Sequence, residues 1–391
     1  MATGKALNGK PYAGNPHVRF DEGEVAPAAT PRRGSLLYNN KMKTTEFGSI
    51  ARHPDFIRAL KAGRVKRPEA LPPCLSLPFL GKPDKVFALQ VAGLSARLSS
   101  IGCRHAVVGL SGGLDSALAL LVVSAAFNRL GYDRKGIHVF TLPGFGTSSR
   151  TKGNAGMLAE GLGLKLETIP IASICRRHLK DIGHDGHTPD ITYENAQARM
   201  RTLILMDKAN LFGGIVVGTG DMSEIALGWC TYNGDHMSMF GVNAGVPKTV
   251  VREVCLWWAA ETLAVNGTKS RLAKAAKALR DIAATPISPE LVKGQKTEDT
   301  VGPYELHDFF LAEYVGRNKS RAEVFARAFK TFGDRYDAAT IGKWLDVFVR
   351  RLLAQAFKRN CAPDGVKIYR DVYFGPYDWH VPSDIAAYVS L

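Results

Sequence analysis

A short glycine turn flanked by serines and an aspartate carries the clearest chemistry in this 391-residue sequence. The turn, Ser-Gly-Gly-Leu-Asp-Ser at 111–116, follows an apolar run and precedes a helix-forming segment. Consecutive glycines let neighbouring backbone N–H groups point into one concavity, and the helix start adds free N–H groups and a positive dipole end. The two serine hydroxyls can donate to the same oxygens. We therefore predict a phosphate-binding turn formed by Gly109, Leu110, Ser111, Gly112, Gly113, Leu114, Asp115 and Ser116.

Asp115 is the acidic residue of this turn, and a carboxylate beside phosphates requires a bridging cation. Mg²⁺ is the predicted ion, because carboxylate and phosphate oxygens are its usual ligands. The pattern G-x-x-x-x-G-K-[ST] does not occur, so transfer of a γ-phosphate is not the predicted reaction. The alternative interpretation is a glycine-rich strand-to-helix turn in which the acid only caps the helix.

A second motif narrows the prediction to one family. It reads GTGDMSEIALGWCTY at 218–232 and continues to NAGVPK at 243–248. The glycine turn resembles the pyrophosphate loop of ATP pyrophosphatases, which cleave ATP between its α- and β-phosphates. The second motif resembles the synthetase domain of the NAD synthetase family, in the form usually fused to a glutaminase. The resemblance runs from about residue 80 to the C-terminus.

The resemblance implies roles for residues outside the glycine turn. Thr219 and Lys248 are expected to bind ATP, with Lys248 placing a positive charge beside the phosphates. Glu224 is expected to share Mg²⁺ with Asp115 and to lie near the second substrate, deamido-NAD. The other residues expected to bind deamido-NAD are Asn195, Trp229, Cys230, Thr231, Tyr232, Lys358 and, as a further candidate, Arg201. Arg199 is not assigned, because a solvated helix face explains it equally well.

The reaction implied by the resemblance is the ATP-dependent amidation of deamido-NAD by ammonia, which gives NAD, AMP and pyrophosphate. Adenylation turns the nicotinate carboxylate into an acyl donor, and ammonia then displaces AMP. No protein nucleophile is required, and Cys230 is not expected to be one. One alternative is another pyrophosphatase ligase, such as a tRNA-thiolating or GMP-forming enzyme, although the segment 229–232 argues against it. The second alternative is a non-catalytic binding subunit, although the intact phosphate-site residues argue against it.

Strands and helices that alternate along the chain must position these residues. Apolar runs predict strands at 105–110, 136–142, 165–171 and 215–218, and periodic segments predict helices at 85–100, 114–130, 151–162 and 192–211. We therefore predict an α/β fold with a doubly wound parallel sheet flanked by helices, similar to the adenine nucleotide alpha hydrolase-like fold, with a helical C-terminal extension. The resemblance implies that the loop at 143–147 receives adenosine and that a loop at 297–306 closes over the site.

The predicted domain organisation has three parts. Residues 1–38 lack periodicity and are expected to be disordered, 39–80 form a linker with a short helix at 54–62, and 81–391 form the synthetase domain. The resemblance would require a Glu-Lys-Cys triad in a fused glutaminase, and Cys74 lies in a proline-rich context that suits a linker cysteine. The chain is therefore expected to use ammonia that it does not make. A longer natural chain and a separate glutaminase partner are both consistent with this expectation.

Charge and composition limit the other classes of function. The net charge is +15, and residues 1–80 hold 13 Lys and Arg against 6 Asp and Glu. A nucleic-acid partner is not predicted, because no zinc-finger, RRM or KH pattern accompanies the charge. A membrane span is not predicted either, since no run of eighteen apolar residues occurs. Scattered cysteines and a polar N-terminus predict a cytoplasmic protein, and the resemblance implies a homodimer or a higher homo-oligomer.

Overall fold

The computed structural model describes residues 74–76, 79, 82–285, 291–292, 297–376, 378–379 and 381–387. The predictions of disorder at 1–38 and of a helix at 54–62 lie outside the described residues. Within the described part of the chain, no helix combines the length and the apolar character that crossing a bilayer requires.

Within the described residues, five parallel strands form the sheet. In chain order they are β1 Ala106–Gly109, β2 Ile137–Thr141, β3 Leu166–Thr168, β4 Ile215–Gly218 and β5 Phe240–Gly241. Their order across the sheet is β3-β2-β1-β4-β5, so the chain first builds outward from β1 on one side and then returns to add β4 and β5 on the other. This reversal opens a crevice at the carboxyl ends of β1 and β4, where ligands bind in doubly wound sheets. The predicted fold class is confirmed.

Both faces of the sheet are largely buried at β1, β2 and β4, which explains why these strands read as continuous apolar runs, whereas the edge strand β3 is mostly exposed. Successive side chains point to opposite faces, so Val108 and Val217 join the larger core cluster while Val107 and Val216 join the smaller one.

The helices cover both faces and continue beyond the sheet. They are α1 Pro83–Ser100, α2 Leu114–Leu130, α3 Ser149–Leu162, α4 Ala172–Asp181, α5 Ile191–Phe212, α6 Met222–Leu227, α7 Lys248–Asn266, α8 Arg271–Ala283, α9 Thr297–Val301, α10 Tyr304–Phe310, α11 Arg321–Phe332, α12 Ala338–Ala354 and α13 Ala356–Asn360. A π-helical turn, Leu311–Gly316, continues α10. The larger core takes residues from α1, α2, α7 and α8, and the smaller one takes residues from α4 and α5.

The C-terminal part is mainly helical as far as Asn360 and then mostly irregular, with a short 3-10 helix at Ile385–Ala387. The amide of Val366 donates to the carbonyl of Gly241, so this last segment continues the β5 edge of the sheet. The region at 297–306, expected to be a loop, is helical instead: α9 ends at Val301, and α10 begins directly after Pro303.

Candidate functional site

The glycine turn joins the end of β1 to the start of α2, as predicted. Gly112 has a φ of +90°, and a Cβ there would lie 2.2 Å from the carbonyl oxygen of Thr151 in α3. The Ser116 hydroxyl accepts from the Ser111 amide and donates to the Gly113 carbonyl, and the Ser111 and Ser116 hydroxyl oxygens lie 3.0 Å apart. The serine hydroxyls therefore hold the turn together, and a phosphate would have to compete for them.

Asn243 fastens the glycine turn to the end of β4. Its fully buried side-chain amide donates to the carbonyls of Asp115 and Thr219, with both distances 2.9 Å. Its own side-chain oxygen accepts from Gln90 in α1. The two predicted ATP-binding segments thus meet across one buried asparagine, which the sequence analysis did not single out.

Three carboxylates converge on one ammonium beside this junction. Lys248, at the start of α7, donates through Nζ to Asp115 at 2.8 Å and to Glu224 at 2.9 Å. The Asp221 Oδ2 atom lies 2.6 Å from Nζ and completes the set of ion pairs. Only 2% of the lysine side chain is exposed, and the ring centre of Tyr304 lies 5.3 Å from Nζ.

This buried cluster contains three carboxylates and only one ammonium. Burial raises the pKa of Glu224 to about 7, and Lys248 offsets this only in part. Burial also raises the pKa of Asp221 well above its usual value. Burial alone would lower the pKa of Lys248, but the three carboxylates outweigh it and the net pKa lies well above the usual value. The arrangement is therefore suited to receiving further positive charge.

The three acids fit a divalent cation. One oxygen from each of Asp115, Asp221 and Glu224 lies within 4.8 Å of the other two. The Oδ1 atom of Asp115 is buried and accepts no hydrogen bond within the described part of the chain. Carboxylate oxygens are the donors that Mg²⁺ prefers.

Asp221 is the acid that sequence reasoning missed. Its side chain accepts from the amide of Glu224 and caps α6, so the D-x-x-E spacing of a helix start was the available signal. A capping role alone does not reveal that the second oxygen of Asp221 faces Lys248.

The residues expected to bind deamido-NAD form a second group. Thr231 donates through its hydroxyl to the side-chain oxygen of Asn195 at 2.7 Å, which joins the 229–232 segment to α5. Lys358 donates through Nζ to the carbonyls of Gly228 and Cys230, at 2.9 and 2.7 Å. Tyr232 is 41% exposed, and its ring stacks on that of His236 with the ring centres 5.3 Å apart.

Trp229 and Cys230 are more enclosed than Tyr232. Trp229 packs against the core, and the Arg351 guanidinium lies 5.3 Å from its ring centre. Burial raises the pKa of the Cys230 thiol, which makes a thiolate nucleophile unfavourable at neutral pH.

Arg201 lies at the carboxyl end of β2. Its Nε donates to the carbonyl of Leu142, beside the 143–147 loop. Arg199 donates through Nε to the carbonyl of Tyr232 instead. Arg199, to which the sequence assigned no role, therefore contacts the 229–232 segment that is expected to bind deamido-NAD.

A cavity links the acid cluster with the second group of residues. Glu224 lies on its wall, and Ile225 and Phe374 supply apolar surface. Its polar wall includes Cys230, Asp235, His236, Ser238 and Lys358.

Comparisons with known proteins identify the family of this chain. The sequence model of the NAD synthase family matches residues 86–332. The chain is 37% identical over 336 residues to a glutamine-dependent NAD(+) synthetase of Mycobacterium leprae, covering 78% of this chain and 48% of that protein. It is 29% identical over 369 residues to a Thermotoga maritima protein of the same description, covering 93% of this chain and 56% of that protein.

A solved structure supports the fold as well. A crystal structure of a glutamine-dependent NAD(+) synthetase from Cytophaga hutchinsonii superposes with a TM-score of 0.61 at 17% identity, covering 78% of this chain and 54% of that chain. This chain thus spans about half the length of the curated relatives it matches. Because the family model covers more than half of the sequence, the chain belongs to the NAD synthase family.

Proposed function

We propose that this chain makes NAD from deamido-NAD, ATP and ammonia and releases AMP and pyrophosphate. The observation that carries the proposal is the junction of the glycine turn with the Asp115, Asp221, Glu224 and Lys248 cluster at the crevice of the sheet. A phosphate turn beside three acids suits a nucleotide that arrives with a divalent cation.

The proposed reaction has two steps. The nicotinate carboxylate oxygen attacks the α-phosphorus of ATP and pyrophosphate departs; ammonia then attacks the acyl carbon, AMP departs, and a proton is released. The glycine turn with Thr219 would hold the phosphates, and Asp115, Asp221 and Glu224 would hold Mg²⁺. When bound, that ion neutralises phosphate charge. The walls of the cavity beside Glu224 suit a flat acyl group, because apolar surface faces a few polar side chains.

Asn195, Thr231, Tyr232 and Lys358 would bind deamido-NAD around this acyl group. The hydrogen bond between Thr231 and Asn195 and the contacts of Lys358 with the 228–230 carbonyls support this proposal, because they fix the segment at one wall of the cavity. Cys230 is proposed to line the cavity. Trp229 and Arg201 are proposed only to shape the surroundings, since they contact Arg351 and the Leu142 carbonyl.

The nitrogen donor is proposed to be free ammonia, delivered in the cell by a glutaminase activity that adjoins or accompanies this chain. The direct test incubates the purified chain with deamido-NAD, ATP and Mg²⁺, supplying either ammonium or glutamine. We expect NAD and AMP in equal amounts with ammonium and no product with glutamine, as measured by chromatography. ADP in place of AMP, or equal rates with both donors, would contradict the proposal. Asp115→Asn is the matched inactive control.

We further propose that the chain forms a homodimer. Apolar side chains are exposed on and around α4 and α5, which suits a surface that a second copy covers. These side chains are Ile174, Ile182, Ile191, Leu203 and Leu211.

A further inference from the structure

The ammonium of Lys248 occupies the position among the three acids that a cation would need. Nζ lies 2.8 Å from Asp115, 2.6 Å from Asp221 and 2.9 Å from Glu224. Mg²⁺ binds carboxylate oxygens at about 2.0–2.1 Å, so an ion held by all three acids must lie between the same oxygens. The ammonium and the ion therefore compete for one space.

While these contacts are in place, Lys248 cannot bind the phosphates of a nucleotide. Its ammonium is directed at carboxylates, it is almost fully buried, and the Tyr304 ring covers it. Asp115, one of its partners, belongs to the glycine turn that would hold the phosphates. A lysine released from the acids would thus lie beside phosphate oxygens without leaving the site.

We propose that Lys248 is a resident counter-cation that gives up its place among the acids when a divalent cation enters with the nucleotide. This inference rests on the proposed function, which supplies the nucleotide and the cation. In the metal-free protein, Lys248 keeps three buried carboxylates from repelling one another. On loading, the positive charge of Lys248 transfers from the carboxylates to the phosphates, and the entering ion offsets the charge of the acids in its place.

The test measures divalent-cation binding directly, without turnover. Mn²⁺ is titrated into the nucleotide-free protein, and free Mn²⁺ is followed by electron paramagnetic resonance. Because Lys248→Met removes the competing charge, we expect it to bind Mn²⁺ at least about tenfold more tightly than the wild type. Lys367→Met is the matched control, since Lys367 is also a buried, ion-paired lysine but pairs with Asp378. Equal or weaker Mn²⁺ binding by a folded Lys248→Met would overturn the proposal.

A crystallographic measurement on the wild type covers the case in which Lys248→Met does not fold. Anomalous diffraction from crystals with Mn²⁺ and α,β-methylene-ATP should place the ion among the three acids and Nζ away from Asp221. An ion bound elsewhere, with Nζ still on all three acids, would overturn the exchange. The NAD assay separates the two ideas: NAD formation without exchange rejects only the role of Lys248, and exchange without NAD formation rejects only the proposed function.

Discussion

Asp221 performs two jobs with its two carboxylate oxygens. One oxygen accepts the amide of Glu224 and starts α6, and the other lies 2.6 Å from the Lys248 ammonium. The side chain is fully buried. Asp221 thus both caps α6 and contributes negative charge to the site. Substitutions that remove only one of these two roles are therefore informative.

Asp221→Asn keeps an oxygen for the helix cap but removes one charge from the cluster. We expect NAD formation to fall by at least about tenfold, while the free energy of unfolding changes by less than about 1 kcal/mol, because one ammonium already faces an excess of carboxylates. Asp221→Ala should lose the same activity and a further ~1 kcal/mol of stability, since the cap is lost too. Initial rates and urea unfolding measure both. Wild-type turnover in Asp221→Asn would show that the third acid is not needed.

Residue types and spacing predicted part of this cluster. Asp115 and Glu224 were expected to share a cation, and in the structure both contact Lys248. The sequence did not predict that Lys248 pairs with the acids, nor that Asn243 joins the two segments. Both facts depend on contacts between residues more than twenty positions apart, which propensity and motif spacing do not encode.

At the scale of elements, the β1–α2 turn requires glycine at position 112. In Gly112→Ala, a left-handed φ of +90° and a contact of 2.2 Å with Thr151 would strain the turn and separate it from α3. We expect at least about tenfold weaker binding of a fluorescent ATP analogue. Gly113→Ala is the matched control, because φ there is −92° and the nearest atom to a new Cβ is 3.4 Å away. Equal losses in the two variants would contradict the argument from backbone geometry.

Helix α10 contains a histidine that should make stability depend on pH. Burial lowers the pKa of His307 from 6.5 to about 4, and its Nε2–H donates to the carbonyl of Val301. The unfolded chain therefore binds a proton more readily than the folded one between these values. This contribution to stability is complete above pH 6.5 and is lost as pH falls toward 4, by about 3 kcal/mol in all.

The measurement compares urea unfolding of the wild type and His307→Leu from pH 7.5 to 5. Because other groups also titrate in this range, the difference between the two proteins isolates His307. We expect the wild type to lose stability on acidification more steeply than His307→Leu. Parallel slopes would show that His307 is not held neutral by burial.

Helix limits were predictable where a cap or a clear period marks them. The helix predicted at 114–130 is α2, and α5 begins one residue before its predicted start because Asp190 caps it. Strand β3 is shorter than predicted, because its partner β2 ends at Thr141, which pairs with Thr168, the last residue of β3. The region at 297–306 is helical because tertiary packing buries Val301 and Tyr304, which outweighs its loop-like composition.

At the scale of the whole molecule, strand order explains why distant motifs form one site. The glycine turn follows β1 and the second motif follows β4, and these two strands are neighbours although about a hundred residues separate them. The alternation of strands and helices predicted the parallel sheet, but only the pairing of β1 with β4 puts Asp115 beside Glu224. Lys358, on the short helix α13, then donates hydrogen bonds to the carbonyls of Gly228 and Cys230 from outside the sheet.

The exposed apolar side chains of α5 predict how the molecule associates. Leu203 and Leu211 are 53% and 75% exposed. Exposure of apolar surface to water is unfavourable, and a second copy of the chain would bury both side chains. Placing aspartates at both positions would force charges into that interface, so we expect sedimentation equilibrium to show a dimer of the 42.5 kDa chain for the wild type and a monomer for the double variant. Val265→Asp on α7 is the matched control, because Val265 is 79% exposed but lies outside this surface. A wild-type monomer, or a double variant that remains dimeric, would remove α5 from the interface.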